Sequence, residues 1–393
     1  MSRDIGMTTT LETTFPAARY RDVIEDRDFP TVRDYARRTG RAAAGCYPVY
    51  GPVELVRAAG LLPVGLFGGG NRVEITHADS RFQSFICSIV KSTMELGFQD
   101  KLGPFKALLF ESICDPARNL ASIMSRNFTD QKCVYVHLPQ NMTSPAAVDY
   151  LVSEYRRVLA ELSEVTGVTV TADDLRANLR SYNAMRAALR DLYAFRGRRP
   201  ESLLTGELYT LTRLATLMDP DEVTPILRES LAAANEREDR PKDRIRVVLI
   251  GAFCEQPPLE LVESIEESGC YIVDDDFMLG WRLFRRDVPL DGDPFVALAR
   301  AYLDDSLHLS TKHDLRVPRA KAIVESVRAM KADAAICLIA KFCEPGLFDY
   351  ALYRKAFDEN AIPHLYIEFE EKVWLYEKIR TEVETFVESM LFR

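Results

Sequence analysis

The sequence lacks the short motifs that usually reveal a nucleotide, dinucleotide or hydrolase site. It contains no phosphate-binding loop of the form GxxxxGK[ST], no GxGxxG fingerprint and no GxSxG elbow. It has no CxxC pair, and its five histidines show no metal-ligand spacing. We therefore expect that this chain does not bind ATP through a phosphate loop. Spacing alone gives no sign of a zinc or ferredoxin-type site.

Excess positive charge and long apolar runs are also absent. The chain of 393 residues has 50 lysines and arginines against 59 acidic residues, so its net charge is −9. An acidic protein does not attract nucleic acid or an anionic membrane through its overall field. The first fifteen residues are polar, and no segment reaches transmembrane length. We expect a cytoplasmic protein without nucleic-acid or membrane partners, although a local basic site for a CoA phosphate is compatible with this charge.

Eight cysteines are present. In the cytoplasm we do not expect them to form disulfides, so core packing, redox chemistry and metal ligation are the alternatives. Cys133, Cys270 and Cys337 lie within or at the start of apolar runs, which predicts buried core thiols.

Short apolar runs alternate with helical stretches in two parts of the chain. The predicted strands are residues 62–67, 107–110 and 133–138 in the first part, and 245–250, 270–273, Ala334–Ala340 and His364–Phe369 in the second. Strands separated by helices favour parallel βαβ units. The fold class is therefore predicted as α/β, with two α/β lobes containing parallel sheets and a mostly helical middle domain. The predicted division is an N-terminal extension (1–26), a first lobe (27–147), a helical domain (148–242) and a second lobe (243–393).

Three cysteines follow predicted strands within a few residues. They are Cys114 in ESICDPARNL, Cys254 in IGAFCEQPP and Cys343 in AKFCEPGLFDY. Ligands of open parallel sheets bind at the carboxyl ends of strands. Backbone N–H groups directed at a sulfur tune the potential of an iron–sulfur cluster, and a helix N-terminus lowers a thiol pKa. The residues alone do not select among the three cysteines. His137 also lies near a strand end, where it could face a site.

Four segments together resemble a known family. They are CYPVYGPVELVRAAGLLPVGLFGGG, FQSFICSIVKSTMELGF, ESICDPARNL and KFCEPGLFDYALYRKAFDENAIPHLYIEFE. In this order they resemble the benzoyl-CoA reductase and 2-hydroxyacyl-CoA dehydratase family, from about Arg27 to the end of the chain. Within it, GAFCEQPPLELVESIEESGCYIVDDDFMLGWR is most similar to the smaller, C-type active-site subunit of ATP-dependent class I benzoyl-CoA reductase.

The resemblance implies a metal site. Family subunits have two α/β lobes and a helical part, and each pairs with a related active-site subunit. Three cysteines hold a [4Fe–4S] cluster and leave one iron open to a ligand from outside the protein. Carried over by motif, these are Cys87, Cys114 and Cys343. Cys46 and Cys254 lie in neighbouring motifs and are kept as residues beside the cluster.

The resemblance also implies a reaction and its partners. Benzoyl-CoA would be reduced to a cyclohexadiene carbonyl-CoA in anaerobic aromatic degradation. ATP-hydrolysing iron–sulfur activator subunits would supply the electrons, with reduced ferredoxin as the upstream donor, and ATP would bind there rather than here. For this reaction His137 and Glu54 are the candidate proton donors. Lys91 is the candidate contact to the cluster or to an anionic ligand.

Two alternatives stay open. The chain could be a subunit of a radical 2-hydroxyacyl-CoA dehydratase, which would recycle an electron to expel hydroxide without net reduction. It could instead be a non-catalytic scaffold whose cysteines are structural. Analysis of iron, sulfide and electron use separates the three hypotheses.

Overall fold

The computed structural model shows two β-sheets with a helical region between them along the chain. It describes residues 15–47, 51–68, 73–252, 257–277, 280–305, 312, 314, 318–369 and 376–391. This arrangement confirms the predicted α/β class. Within these residues, no helix is both long and apolar enough to span a membrane.

The first sheet has four parallel strands in the order β2-β1-β3-β4. Its strands are β1 (Ala43–Tyr47), β2 (Leu62–Gly65), β3 (Phe105–Glu111) and β4 (Lys132–Val136). The accompanying helices are α1 (Arg21–Glu25), α2 (Pro30–Thr39), α3 (Val53–Ala58), α4 (Ser88–Phe98) and α5 (Asp115–Asn127). Three of the strands form at the predicted apolar runs, as expected for strands that are covered on both faces.

Strand β1 lies inside this sheet, although no strand is predicted there from the sequence. Its residues AAGCY include two alanines and a glycine, which favour strands only weakly. All five are buried, and β1 pairs with both β2 and β3. A Cβ on Gly45 would lie 2.4 Å from Leu66 Cδ1, so this close approach requires glycine. Pairing with its neighbours, rather than local preference, accounts for this strand.

The second sheet repeats the strand order of the first. Its parallel strands run in the order β6-β5-β7-β8. They are β5 (Ile245–Ala252), β6 (Cys270–Asp276), β7 (Ala334–Ala340) and β8 (His364–Phe369). The helices of this region are α10 (Leu259–Glu267), α11 (Trp281–Phe284), α12 (Pro294–Asp305), α13 (Arg319–Ala329), α14 (Glu344–Glu359) and α15 (Tyr376–Leu391). In both lobes the strands thus appear in the spatial order second, first, third, fourth.

Four helices occupy the middle of the chain. They are α6 (Ala147–Thr166), α7 (Ala172–Arg198), α8 (Thr205–Leu214) and α9 (Pro220–Glu236). Residues 237–244, which join α9 to β5, contain no helix or strand and are mostly exposed. Helix α7 contacts α3 of the first lobe as well as β6 of the second. It therefore ties the two sheets to one another.

The two faces of the first sheet are covered by different helices. Side chains of α3, α6 and α12 share one core with alternate residues of β1 and β3, among them Cys46 and Leu109. Side chains of α4 and α5 pack in another core, which includes Leu108 and Phe110. Helix α12 lies late in the chain but contacts α6. The first lobe is therefore completed by a segment from beyond the helical region.

Candidate functional site

The carboxyl edges of the two sheets are the places where functional side chains collect. Because all strands in each sheet are parallel, a helix that follows a strand begins at this edge. In each sheet the first and third strands are neighbours, and the chain leaves them in opposite directions. Ligands of open α/β sheets bind at such a switch point. In the first lobe it lies between β1 and β3, and in the second between β5 and β7.

Cys114 and Cys343 occupy equivalent positions in the two lobes. Cys114 follows β3 and is the N-cap residue of α5, whereas Cys343 follows β7 and is the N-cap residue of α14. Both thiols are free and half-buried. Asp-Pro and Glu-Pro follow them in sequence, and proline suits the first turn of a helix. Each lobe thus presents one cysteine next to its switch point.

Cys87 is the N-cap residue of α4. A helix over residues 82–97 is predicted from the sequence, but α4 begins only at Ser88. Helix α4 precedes β3, so its N-terminus lies at the same sheet edge as that of α5, and the two helices contact one another. The later start of α4 therefore puts Cys87 at the N-terminus of a helix. Cys114 has the same position in α5.

The thiols of Cys114 and Cys343 influence each other. Burial raises the pKa of Cys114 to about 11, against the favourable backbone N–H of Ala117, and Cys343 raises it further. Burial also raises the pKa of Cys343, while the backbone N–H of Gly346 opposes this rise. The N-cap position is expected to lower these pKa values, but burial dominates. Both residues are therefore thiols at neutral pH unless a bound cation stabilises the thiolates.

The three cysteines that the sequence suggests as metal ligands lie at helix N-termini. In the described part of the chain, no three His, Cys, Asp or Glu side chains are close enough to hold one metal ion. All three are half-buried, and thiolates are the ligands that a [4Fe–4S] cluster takes.

Lys91 and Glu95 hold the loop before Cys87 rather than facing a free site. Lys91 is buried in α4, and its Nζ donates to Asp79 Oδ1 at 2.6 Å. One turn later, Glu95 Oε2 accepts the backbone N–H groups of Thr76, His77 and Ala78 at 3.1, 2.9 and 2.8 Å. The other oxygen of Glu95 lies 2.8 Å from His77 Nδ1. These contacts attach the loop to α4.

Glu54 is buried in the first turn of α3 and forms an ion pair with Arg186 of α7. Arg186 also donates to Asn183 Oδ1 at 2.9 Å. The structure thus places Glu54 in a contact between the first lobe and helix α7, beneath the carboxyl edge of the first sheet.

His137 follows β4 and is exposed. Its ring contacts the Tyr135 ring edge-to-face, with 4.6 Å between centroids. Its backbone N–H donates to Glu154 Oε1 at 2.6 Å. The imidazole of His137 is therefore exposed to solvent, and one side of it contacts the Tyr135 ring.

The remaining cysteines differ in burial. Cys270 and Cys337 are fully buried, as predicted for core thiols, whereas Cys133 is half-buried. Cys46 is also buried in β1, and burial raises its thiol pKa, with Glu111 adding to the rise. Cys254 lies outside the described residues.

Two charged residues at this edge were missed from the sequence. Glu111, the last residue of β3, is fully buried. Lys312 is buried as well, and its Nζ donates to the carbonyl of Ser112 at 2.8 Å. Burial lowers the pKa of Lys312 to about 8. The sequence could have indicated Glu111 as a site residue, because an acidic residue there continues an apolar strand directly before a cysteine loop. No comparable local pattern marks Lys312.

A cavity of about 630 Å³ lies at the opposite edge of the first sheet. Its lining includes Arg41 and Ala42 before β1, Leu61 before β2 and Lys106 at the start of β3. These positions are the amino ends of the strands. The cavity is therefore separate from the cysteines.

Comparison with known proteins identifies the family. The family model described as 2-hydroxyglutaryl-CoA dehydratase, D-component, matches residues 48–390. The C subunit of benzoyl-CoA reductase from Thauera aromatica is 35% identical over 375 residues, which cover 95% of this chain and 97% of that protein. The (R)-phenyllactyl-CoA dehydratase beta subunit of Clostridium sporogenes is 28% identical over 371 residues, covering 94% and 97%.

The beta subunit of (R)-2-hydroxyglutaryl-CoA dehydratase from Acidaminococcus fermentans is 26% identical over 358 residues, covering 89% of this chain and 93% of that protein. These matches confirm the resemblance inferred from the four sequence segments. The chain belongs to the 2-hydroxyglutaryl-CoA dehydratase D-component family.

Proposed function

We propose that this chain is the smaller, C-type active-site component of an ATP-dependent benzoyl-CoA reductase and holds a [4Fe–4S] cluster through Cys87, Cys114 and Cys343. The assignment of the cluster ligands is supported by the position of these three cysteines. Each caps a helix at a sheet's carboxyl edge, and two of them occupy equivalent sites in the two lobes. The choice of reaction is supported by the 35% identity to a component of benzoyl-CoA reductase, compared with 26–30% for three dehydratase beta subunits.

The protein would provide a half-buried cluster site between two lobes. A cluster held by Cys87, Cys114 and Cys343 would supply a low-potential electron and a Lewis acid for the thioester carbonyl oxygen. Backbone N–H groups of Ala117 in α5 and Gly346 in α14 act on the sulfurs of Cys114 and Cys343, which favours their thiolate forms. Burial excludes water and strengthens each of these electrostatic contacts.

Partners complete the proposed reaction. A related active-site subunit pairs with this chain, and an ATP-hydrolysing iron–sulfur activator delivers electrons from reduced ferredoxin. ATP binds to the activator, in keeping with the absence of a phosphate loop in this sequence. The acyl-CoA substrate binds at the carboxyl edge of the sheets.

A second candidate is a 2-hydroxyacyl-CoA dehydratase subunit, which the two dehydratase relatives favour. The two reactions differ in their use of electrons. A reductase consumes electrons in proportion to product, whereas a dehydratase returns each electron after hydroxide leaves. Electron stoichiometry on benzoyl-CoA and on a 2-hydroxyacyl-CoA therefore separates them.

The test uses the complex, produced with its related subunit and activator and purified without oxygen. Iron and sulfide are measured, together with the electron paramagnetic resonance spectrum after reduction. We expect Cys87→Ser, Cys114→Ser and Cys343→Ser each to remove the cluster held by this chain, because each removes a thiolate ligand. Electron consumption is then compared with product formed from each substrate.

Cys270→Ser and Cys337→Ser are the matched controls, because both thiols lie in strands within the cores. They should leave the iron and sulfide content unchanged. A wild-type complex without iron and sulfide would rule out both reactions and leave a scaffold with structural cysteines. Loss of the cluster in Cys46→Ser or Cys254→Ser, but not in the three proposed variants, would overturn the ligand assignment.

A further inference from the structure

Glu111 lies at the switch point of the first lobe. It is the last residue of β3 and stands three residues before Cys114. Cys46 is on the neighbouring strand β1, and its thiol interacts electrostatically with Glu111. The Tyr155 hydroxyl of α6 interacts electrostatically with both Glu54 and Glu111. Glu111 therefore belongs to a buried polar group beneath the carboxyl edge.

The carboxyl group of Glu111 has no hydrogen-bond partner among the described residues. The residue is fully buried, and neither oxygen accepts or donates a hydrogen bond there. Its Oε1 lies 2.5 Å from the point where a Cβ on Gly51 would stand, so glycine leaves room for it. A lone buried carboxylate is very costly, whereas the protonated acid avoids most of that cost. Burial accordingly raises the pKa of Glu111 well above its usual value.

Glu95 provides a contrast within the same lobe. Its side chain is also nearly inaccessible to solvent, with 1% exposure, but it lies closer to the protein surface than Glu111. Its oxygens, however, accept three backbone N–H groups and contact His77. Despite burial, these contacts hold the pKa of Glu95 below its usual value. Glu111 differs from Glu95 in its greater depth and in having no hydrogen-bond partner for its oxygens among the described residues.

We propose that Glu111 is the internal proton store of this site, kept as a neutral carboxylic acid and releasing its proton to the acyl-CoA substrate after that substrate has taken up an electron. The identity of the proton acceptor rests on the proposed function. Glu54, the carboxyl suggested by the sequence, forms an ion pair with Arg186. Of these two buried carboxyls near the switch point, Glu111 is the one without an ion-pair or hydrogen-bond partner among the described residues.

The surroundings of Glu111 keep the proton in place before reaction. The groups that interact with it electrostatically are Cys46 on β1, Tyr135 on β4 and Tyr155 on α6. All three have a pKa raised mainly by burial, so they are neutral at neutral pH. Lys312 contacts the carbonyl of the next residue, Ser112. These neutral groups do not accept the proton of Glu111. A negatively charged substrate would accept it.

The step balances with one electron and one proton. The thioester substrate would take up one electron, from a low-potential iron–sulfur donor, to give its radical anion. The O–H bond of Glu111 then breaks: with benzoyl-CoA a C–H bond forms on the ring, and with a 2-hydroxyacyl-CoA the proton joins the leaving hydroxide to form water. The Glu111 carboxylate that remains is reprotonated from water before the next turnover.

Infrared spectroscopy tests the stored proton directly in the purified complex. At about pH 9, Glu266 and Asp274, whose pKa values burial raises to about 7 and about 6, are ionised. The carboxylic C=O band that persists should come from Glu111. We expect this band to disappear in Glu111→Gln, to shift in Glu111→Asp and to remain in the control Glu95→Gln. Circular dichroism and thermal unfolding check that each variant is folded.

Turnover tests where the proton goes. With benzoyl-CoA and with a 2-hydroxyacyl-CoA, Glu111→Gln should lower kcat about a hundredfold, as loss of a general acid does, with a smaller change in KM. Glu111→Asp, which keeps the acid, should regain part of this loss. A band that persists in Glu111→Gln, or wild-type kcat in that variant, overturns the proposal. The infrared measurement does not require turnover. It therefore tests whether Glu111 is protonated even if neither substrate reacts.

Discussion

At the scale of single residues, the buried glutamates of the first lobe differ in what surrounds their oxygens. Glu95 accepts three consecutive backbone N–H groups from residues 76–78 and also contacts His77. Hydrogen bonds to a charged acceptor contribute more than neutral ones. Glu95 therefore stabilises the loop that leads to Cys87, and it does so only while ionised.

Glu95→Gln should lower the free energy of unfolding by about 2 kcal/mol at neutral pH, because an amide replaces a charged acceptor. The folded state lowers the pKa of Glu95 from its usual 4.5. Its contribution is therefore present above pH 4.5 and is lost as pH falls through the folded-state pKa. Urea unfolding of both proteins should show the difference shrinking in acid. Equal stability at neutral pH, or a difference that does not change with pH, would contradict this prediction.

Residue roles were only partly predictable from the sequence. Nothing local distinguishes Glu54 from an ordinary first-turn glutamate, and its partner Arg186 lies 132 residues away. The same holds for Lys91, whose partner Asp79 lies in the preceding loop. Candidate residues could be named from their positions near strand ends. Their charge states could not, because these depend on contacts that only the fold brings together.

At the scale of elements, the N-terminus of α7 shows a capping box. Asp174 N–H donates to Thr171 Oγ1 at 3.2 Å, and Thr171 N–H donates to Asp174 Oδ2 at 2.9 Å. Thr171→Ala should lower the free energy of unfolding by about 1 kcal/mol, because it leaves a helix N–H without its acceptor. Thr169→Ala is the control, since Thr169 is exposed in the same connection; it should change stability by less than about 0.5 kcal/mol. Chemical denaturation measures both, and equal effects would argue against the cap.

Strands were predicted where the local sequence agrees with the final sheet. The runs AAICLIA and HLYIEF form β7 and β8 with the predicted bounds, because they are apolar and bordered by polar residues. The run AAGCY was not predicted, since its burial comes from β2 and β3 on either side. The start of α4 was placed too early, because residues 82–86 are apolar enough to extend the helical pattern. The local sequence pattern thus predicted the presence of helices and strands better than it predicted where they begin and end.

At the scale of the whole molecule, the site depends on how the two lobes are held together. Cys114 and Cys343 belong to different lobes, yet each thiol lies within reach of the other's charge. Helix α7 connects the lobes through Glu54 and Arg186 at the first sheet, and through Arg196 and Asp275 at the second. The repeated strand order places the cysteines at equivalent edges, and α7 sets the relation between those edges.

The contact of α7 with the second sheet is a buried charge network. Arg196 and Asp275 are both fully buried, with Arg196 Nη2 3.2 Å from Asp275 Oδ2. The hydroxyls of Tyr193 and Tyr209 donate to the same oxygen at 2.9 and 3.0 Å. The Arg196 guanidinium lies over the Tyr193 ring, 4.6 Å from its centroid. Removing one partner of such a pair leaves a buried charge without its counterion.

Arg196→Met should therefore lower the free energy of unfolding by about 3–5 kcal/mol, measured by chemical denaturation. Arg196→Met combined with Asp275→Asn should be more stable than Arg196→Met alone, because the amide oxygen keeps the tyrosine hydrogen bonds without a charge. Arg19→Met removes an exposed pair with Glu229 and should cost less than about 1 kcal/mol. If the double variant were no more stable than Arg196→Met, lost packing rather than loss of the Arg196 charge beside Asp275 would explain the effect. The interlobe contact would then depend on the shape of Arg196 rather than on its charge.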